Sequence, residues 1–392
     1  MKGKRRPAAE VAYRNPADVL AAWEGAAEVD PAELAWESTG EFWDLLAEKQ
    51  RTLVVTREYE HLILALSVEN GAPSLSYLRL PHPSGTAFSA DTNRLYVALT
   101  RNPNQLFEFA PATGTRLRED VPELPPIEDR PFVPVRSWFF PGSTYLHDLA
   151  FCGGKLLGTA VGENAVVRFL PEGGYERVWW PESVDGPEGP RFERNYLQLN
   201  SIAAGRTLEE SFFTASTDRI GEVHPGDPNF PVDRRGVVFS GKTRGPIVRG
   251  LTRPHSARLH SGRLWLDNSG YGEVGYVDGE SFVAVQKLPG WTRGLSFAEE
   301  LAFVGTSRVL PRFRSYAPGL DPDECVCGIH AIEISSGRVV GSLLFPGGNQ
   351  IFSVEAIPAR VSRGFPFRAD PVYRDRKTAL FYAYRSEGTD DG

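Results

Sequence analysis

The sequence predicts an all-β fold, a six-bladed β-propeller with an N-terminal helical extension, on three observations. First, a short apolar strand running from Thr or Ser into a polar turn recurs through the chain. It reads LVVTRE at 53–58, YVALTRN at 96–102, FTASTDR at 213–219 and FVGTSR at 303–308. LGTAVGEN at 157–164 and LWLDNSG at 264–270 are degenerate copies. Second, a strand with a polar opening precedes each of the last five copies. Taking Thr86, His147, Asn200, His255, Arg293 and Phe352 as equivalent gives intervals of 38–61 residues. That suits four short strands plus turns, the size of one propeller blade. Third, the strand opened at Phe352 has no strand set after it, while 52–80 carries three strands with none before them. Joined, the two ends make one complete blade and remove the open edges of a linear array.

Residues 1–50 differ from the rest. Asn15-Pro16 and Asp30-Pro31 are helix-start signatures, a cap followed by proline in the first turn. They predict a helix over 19–29 and a second through LAWESTGEFWDLLAEKQ, with Trp36, Phe42, Trp43, Leu45 and Leu46 on its apolar face. This extension is expected to dock on the main domain, with a partner-binding arm as the alternative. The domain boundaries read as 1–50, 51–366 and a tail at 367–392, whose final RSEGTDDG has the composition of a disordered segment.

Each blade is expected to run a to d from the centre outward. Blade one has strands at 85–89, 95–99 and 105–109, and an ill-defined outer strand before Val135. Blade two has 147–151, 155–160, 165–169 and 175–180. Blade three has 200–203, 211–216, 220–224 and 236–240. Blade four has 255–259, 263–267, 273–277 and 281–288. Blade five has 293–297, 301–306, 327–334 and 337–345. Turns such as CGGK and HSGR separate them. The b–c and d–a connections share one face and include the long loops 124–146, 182–199, 242–254 and 309–326. Loop 225–235 is expected on the opposite face.

Composition narrows the function. The formal net charge of −7 argues against a nucleic-acid surface. The basic cluster Lys2, Lys4, Arg5 and Arg6 reads as a solvated terminus. No apolar run reaches the ~20 residues that span a bilayer. Three cysteines, Cys152, Cys325 and Cys327, fit a reduced cytoplasmic protein. GYGEVG at 270–275 opens no helix, so no nucleotide cofactor is expected.

The strand openings bring His147, Asp148, Asn200, His255 and Arg293 towards one axis. The b–c turns add Arg57, Arg101, Asn164, Asp218, Tyr271 and Arg308 as ligand-binding candidates. Three chemistries fit this set. A divalent transition metal would take His147, His255, Asn200, Asn268 and a carboxylate, Asp148 or Asp267. Alternatively, a histidine serves as general base with Arg293 as electrophilic stabiliser. In the third, the arginines and histidines bind an anionic small molecule or peptide without chemistry. The leading expectation is a ligand site at the channel mouth, in its more specific form a metal-assisted hydrolase or modifying enzyme. A non-catalytic peptide- or protein-binding scaffold is the alternative. Polar residues that merely lock blades together would leave the same sequence pattern.

The phrases TRNPNQ, YLHDLA, VGENAVVR, NYLQLNSIAAG, FPVDRRGVVFSG, RPHSARL, DNSGYGEVG, LPGWTRGL, GTSRVLPRF, YAPGL and GNQIF resemble a bacterial family of conserved hypothetical proteins. The resemblance spans about residues 51–367 and implies a propeller of unknown activity. A more distant likeness is to six-bladed propellers of the gluconolactonase and NHL-repeat kind. It implies a divalent metal in the central channel, held by acidic and amide groups such as Asp148, Asn200 and Asn268. His147 and His255 depart from that shell.

Overall fold

Six antiparallel sheets surround one axis in the computed structural model, which describes residues 28–101, 104–115, 130–368 and 384–386. Their inner strands are Pro83–Ser89, Leu146–Cys152, Leu199–Ala203, Pro254–His260, Trp291–Ala298 and Ser353–Pro358, each against the next around the ring. The last of these pairs with Arg51–Arg57 over six residue pairs, so one sheet joins strands from both ends of the chain.

Apolar seams lie between neighbouring blades rather than in one central core. Blades two and three share Val166, Trp179, Phe213 and Phe239. Blades three and four share Val238, Val248, Ala257 and Leu266. The largest seam wraps the closing blade, with Leu53, Leu64, Phe109, Phe303 and Phe365. The inner strands therefore bury both faces, which explains their near-continuous apolar runs.

Short turns close the face away from the long loops. Gly153-Gly154 has φ of +56° and +74°, and Ser261-Gly262 has +49° and +75°. Left-handed pairs of this kind match the twist of a two-residue hairpin.

Blade three corrects the sequence reading. Residues 220–224 form no strand; strand c is Gly236–Ser240 and strand d is Pro246–Leu251. Loop 216–235 thus joins b to c and lies on the mouth face, and 242–254 is no long loop. In blade one the outer strand is Phe132–Phe140, which shortens the connection assigned to 124–146. Pro83 pairs with Leu99 as Pro254 pairs with Asn268, so the blade-one equivalent of His255 is Ser84, not Thr86.

The second expected helix is broken in two. Pro31–Leu34 is helical, capped by the Asp30 carboxylate, and Phe42–Glu48 is helical. Between them Glu37–Gly40 adds a fifth strand to the outer edge of blade five. Gly40 at φ +64° makes the break, and a Cβ there would clash with the Val340 carbonyl. Phe42 and Leu46 are buried against the propeller. At the other end Phe367–Arg368 pairs with Ser76–Tyr77, and Tyr384–Ser386 pairs with blade one. The helix expected over 19–29, the basic cluster and residues 387–392 lie outside the described residues.

Candidate functional site

A cavity of about 690 Å³ opens at the channel mouth. Its walls come from b–c and d–a connections: Glu58 and Tyr59 from the closing blade, Thr100 and Arg101 from blade one, Pro225 and Gly226 from blade three. Blade five contributes Arg312, Phe313 and Tyr316 from a 3-10 turn, Pro311–Tyr316. His147, Asn200, His255 and Arg293 line its floor.

The two imidazoles stack, their centroids 5.8 Å apart and planes 29° from parallel. Phe352 meets the His147 ring edge-on at 5.3 Å. Burial pushes both histidines well below the usual imidazole value, and Arg293 deepens the shift in each. Arg101 and Arg253 add to it at His147, and Arg253 at His255. Both rings are therefore neutral at pH 7. The Asn200 amide pulls His147 slightly the other way, in a contact too long or bent to count as a hydrogen bond.

Arg293 is 5% exposed, and its guanidinium stacks 3.5 Å from the centre of the Phe352 ring. It makes no hydrogen bond or ion pair with any described residue, and burial lowers its pKa. Arg253 donates to the Ser216 hydroxyl at 3.2 Å and the Pro225 carbonyl at 2.5 Å, and stacks on Tyr316 at 3.9 Å. Burial brings its pKa down to about 10. Arg101 is half exposed, over the Tyr145 ring at 5.5 Å and 4.0 Å from the Glu58 carboxylate. Among the described residues five arginines and two glutamates line the cavity. The mouth is thus basic within a chain of net charge −7.

An aromatic wall faces this basic floor. Tyr59 and Phe313 stack with planes 4° apart and centroids 6.1 Å apart, and Arg312 covers both. Trp291 and Tyr316 extend the wall at 5.8 and 5.5 Å from Phe313.

Several candidates sit elsewhere. Asp148 is taken by Arg258 through two contacts, 2.8 and 3.1 Å, and by the backbone N–H groups of Leu149 and Ile202. Asn268 accepts from the Thr252 N–H and donates to Glu273. Arg57 is fully buried; it donates to the Glu33 carbonyl and lies 3.2 Å from Glu60, so it pins the N-terminal segment. Asn164 bonds four backbone groups between Arg191 and Leu197. Asp218 pairs with Arg249, Tyr271 donates to Asp233, and Arg308 donates to the Pro346 carbonyl. None of these lines the mouth cavity.

The five-membered metal shell does not fit this geometry. Its acidic member is paired with arginine, Asn268 is engaged in blade four, and arginines surround the imidazoles. A divalent cation there would be repelled by Arg293 and Arg253 at close range in a poorly solvated site. Among the described residues no three His, Cys, Asp or Glu side chains are grouped to hold a metal. Asp267, the other carboxylate considered, is fully buried and pushed up to about 8 by that burial.

Sequence reasoning missed Tyr145, Gln198, Arg253 and Trp291. Each lies two residues before a polar opening: His147, Asn200, His255 and Arg293. Only Trp291 lies in the strand of its polar opening, where i and i−2 share a side; the other three precede their strands, so alternation gave no signal for them. Tyr145, Gln198 and Arg253 also share a positive φ of 49°, 54° and 51°.

Similar proteins give the fold and no activity. A chain in a nidogen/laminin complex aligns with a TM-score of 0.52 at 8% identity, covering 78% of this chain and 98% of that one. A gluconolactonase from Xanthomonas campestris aligns at 0.41 and 13% identity, covering 68% and 77%. A streptogramin B lyase aligns at 0.37 and 13%, covering 75% and 76%. No curated protein matches the chain. No described helix is long and apolar enough to cross a membrane. Residues 40–363 match a family described as a domain of unknown function, DUF4915, and to that family this chain belongs.

Proposed function

We propose that the mouth cavity binds a small organic or peptidic anion. Arg293 carries this reading. An unpaired guanidinium in a buried site costs several kcal/mol of lost hydration. An anion entering the cavity offsets that cost with charge-assisted hydrogen bonds. Arg253 lies without a close carboxylate among the described residues, Arg101 meets Glu58 only at 4.0 Å, and the aromatic wall suits an apolar or planar body.

The neutral imidazoles support a second, catalytic reading. A histidine without its proton is competent as a general base, and an adjacent arginine stabilises the negative charge that proton abstraction creates. A scaffold that only binds would use the same residues with no turnover.

Calorimetric titration tests the binding. Phenylacetate and phenyl phosphate should saturate one site on the full chain, in chelator-treated buffer, while benzylamine should not bind. Arg293→Met should weaken the anions by about tenfold or more, the range for losing a charge-assisted contact. Failure of every anion to bind, or equal binding of benzylamine, would overturn the reading.

A further inference from the structure

The closing blade carries a second cavity, of about 450 Å³, which shares no lining residue with the mouth. Three arginines line it. Arg51 opens the strand Arg51–Arg57, and Arg360 and Arg363 follow the strand Ser353–Pro358. Arg51 stands at the far end of that first strand from Glu58 and the mouth, about 20 Å along an extended backbone. Among the described residues no carboxylate lines this cavity. The acids beside it in the chain are engaged, Glu69 by Arg368 at 2.8 and 2.9 Å and Glu48 by Lys49 at 3.1 Å. None of the three guanidinium groups has a hydrogen bond or ion pair with a described residue. Arg51 and Arg363 are half-buried, yet their nitrogens keep surface open to solvent. In a chain with 50 acidic and 43 basic side chains, three cations thus share an acid-free hollow. Their mutual repulsion contributes nothing to the fold, and a bound counter-charge removes it.

We propose that this cavity binds a phosphate monoester of a polyhydroxylated body, a sugar or polyol phosphate, independently of the mouth. A carboxylate brings one charge and two oxygens, which a single guanidinium fork satisfies. A phosphate monoester brings up to two charges and three terminal oxygens, enough for three arginines. Gln50 and Asn70 add side-chain amides, which donate and accept as hydroxyl groups require. No aromatic ring lines the cavity, in contrast to the mouth, so nothing there favours a planar body. The position adds a second consequence. Arg51 pairs with Pro358, and the Ala359 N–H donates to the Gln50 carbonyl at 2.9 Å. A phosphate held by Arg51 and Arg363 ties the two ends of the chain together, so its binding raises the unfolding temperature.

The test is calorimetry and thermal unfolding on the full chain carrying Arg293→Met, which removes the unpaired charge of the mouth. Glucose 6-phosphate should bind one site and raise the thermal midpoint. Gluconate, with one carboxylate, should bind about tenfold weaker or worse. Phenyl phosphate, which offers the amides no hydroxyl groups, should also bind about tenfold weaker. Adding Arg51→Gln and Arg363→Gln should weaken glucose 6-phosphate by about tenfold or more, with the ligand-free midpoint unchanged. The exposed Arg360→Gln, which leaves the seam untouched, should weaken it by about threefold or more and decides the matter if the double substitution does not fold. Phosphatidylcholine vesicles carrying phosphatidylinositol 4-phosphate separate the sources. Capture that glucose 6-phosphate reverses assigns a lipid headgroup, and no capture assigns a free ester. Equal affinity for gluconate would overturn the phosphate assignment, and equal affinity for phenyl phosphate the polyhydroxylated body. Undiminished binding in the arginine variants would overturn the site itself and leave the reading of the mouth standing.

Discussion

Two arginines on inner strands of adjacent blades occupy opposite electrostatic states. Arg258 of blade four is held by both oxygens of Asp148, across blade three, with Glu355 also in Coulombic reach. Burial pulls its pKa down, but the Asp148 carboxylate more than reverses this and the net shift is upward. Arg293 of blade five has no such partner, and burial prevails. One is a tie between blades and the other an unspent charge aimed into a cavity. Partner geometry, not residue type or depth, separates a cation that ties blades together from one left unpaired.

The largest expected effect breaks the tie. Arg258→Met should destabilise the fold by about 3–5 kcal/mol, because it strands the buried Asp148 carboxylate. Arg293→Met should leave stability unchanged or higher, since it removes a buried charge that no described residue pairs with directly. Chemical unfolding measures both. Equal destabilisation by the two substitutions would erase the contrast.

Acid titration sharpens it. His147 and His255 have folded pKa values below their ordinary 6.5. Below that pH the unfolded chain takes up protons that the native state refuses. Stability therefore drops as the pH is lowered below about 6.5, by up to about 1.4 kcal/mol per unit for each imidazole. The double variant His147→Gln/His255→Gln should show a shallower acid limb below pH 6.5 in thermal unfolding. His330, held between Thr306 and Ser342 and brought down to about 4, keeps its own contribution in the variant. An unchanged limb would mean that the imidazoles are solvated and the mouth is not the dry site described.

The smallest effect is at the rim. Asp218→Ala removes a partly exposed pair with Arg249 and should cost about 0.5 kcal/mol or less. It should leave anion affinity intact, and a measurable loss of affinity would enlarge the site beyond the arginines of the floor.

Much of the scaffold could be read from the residues. Strand-to-turn phrases marked four blades strand by strand, left the outer strand of blade one undefined and failed in blade three. There GVVFS at 236–240 was placed one strand too far out, because the apolar residues of 220–224 imitate a strand. The imitation fails in space because Pro225, Pro228 and Pro231 follow and cannot supply ladder hydrogen bonds. The site was only half legible. His147, His255, Asn200, Arg101 and Arg293 do converge, whereas Arg57, Asn164 and Asp148 are locked into loops and neighbouring strands. Nothing in a sequence separates Arg57 from Arg293. The difference is one carboxylate and one carbonyl, brought beside Arg57 by Glu60 and by Glu33 of the N-terminal segment. The clasp around Asn164 likewise depends on a loop some thirty residues downstream.

The sheet that unites Arg51–Arg57 with Ser353–Pro358 has a consequence for synthesis. Every other inner strand finds its hairpin partner within a few residues of leaving the ribosome. Here Arg51–Arg57 waits for nearly the whole polypeptide before its inner partner is made, with its edge bare in the meantime. A nascent chain cut short before Ser353 would hold five complete fans and a sixth lacking its inner strand, a ready seed for chain-to-chain pairing.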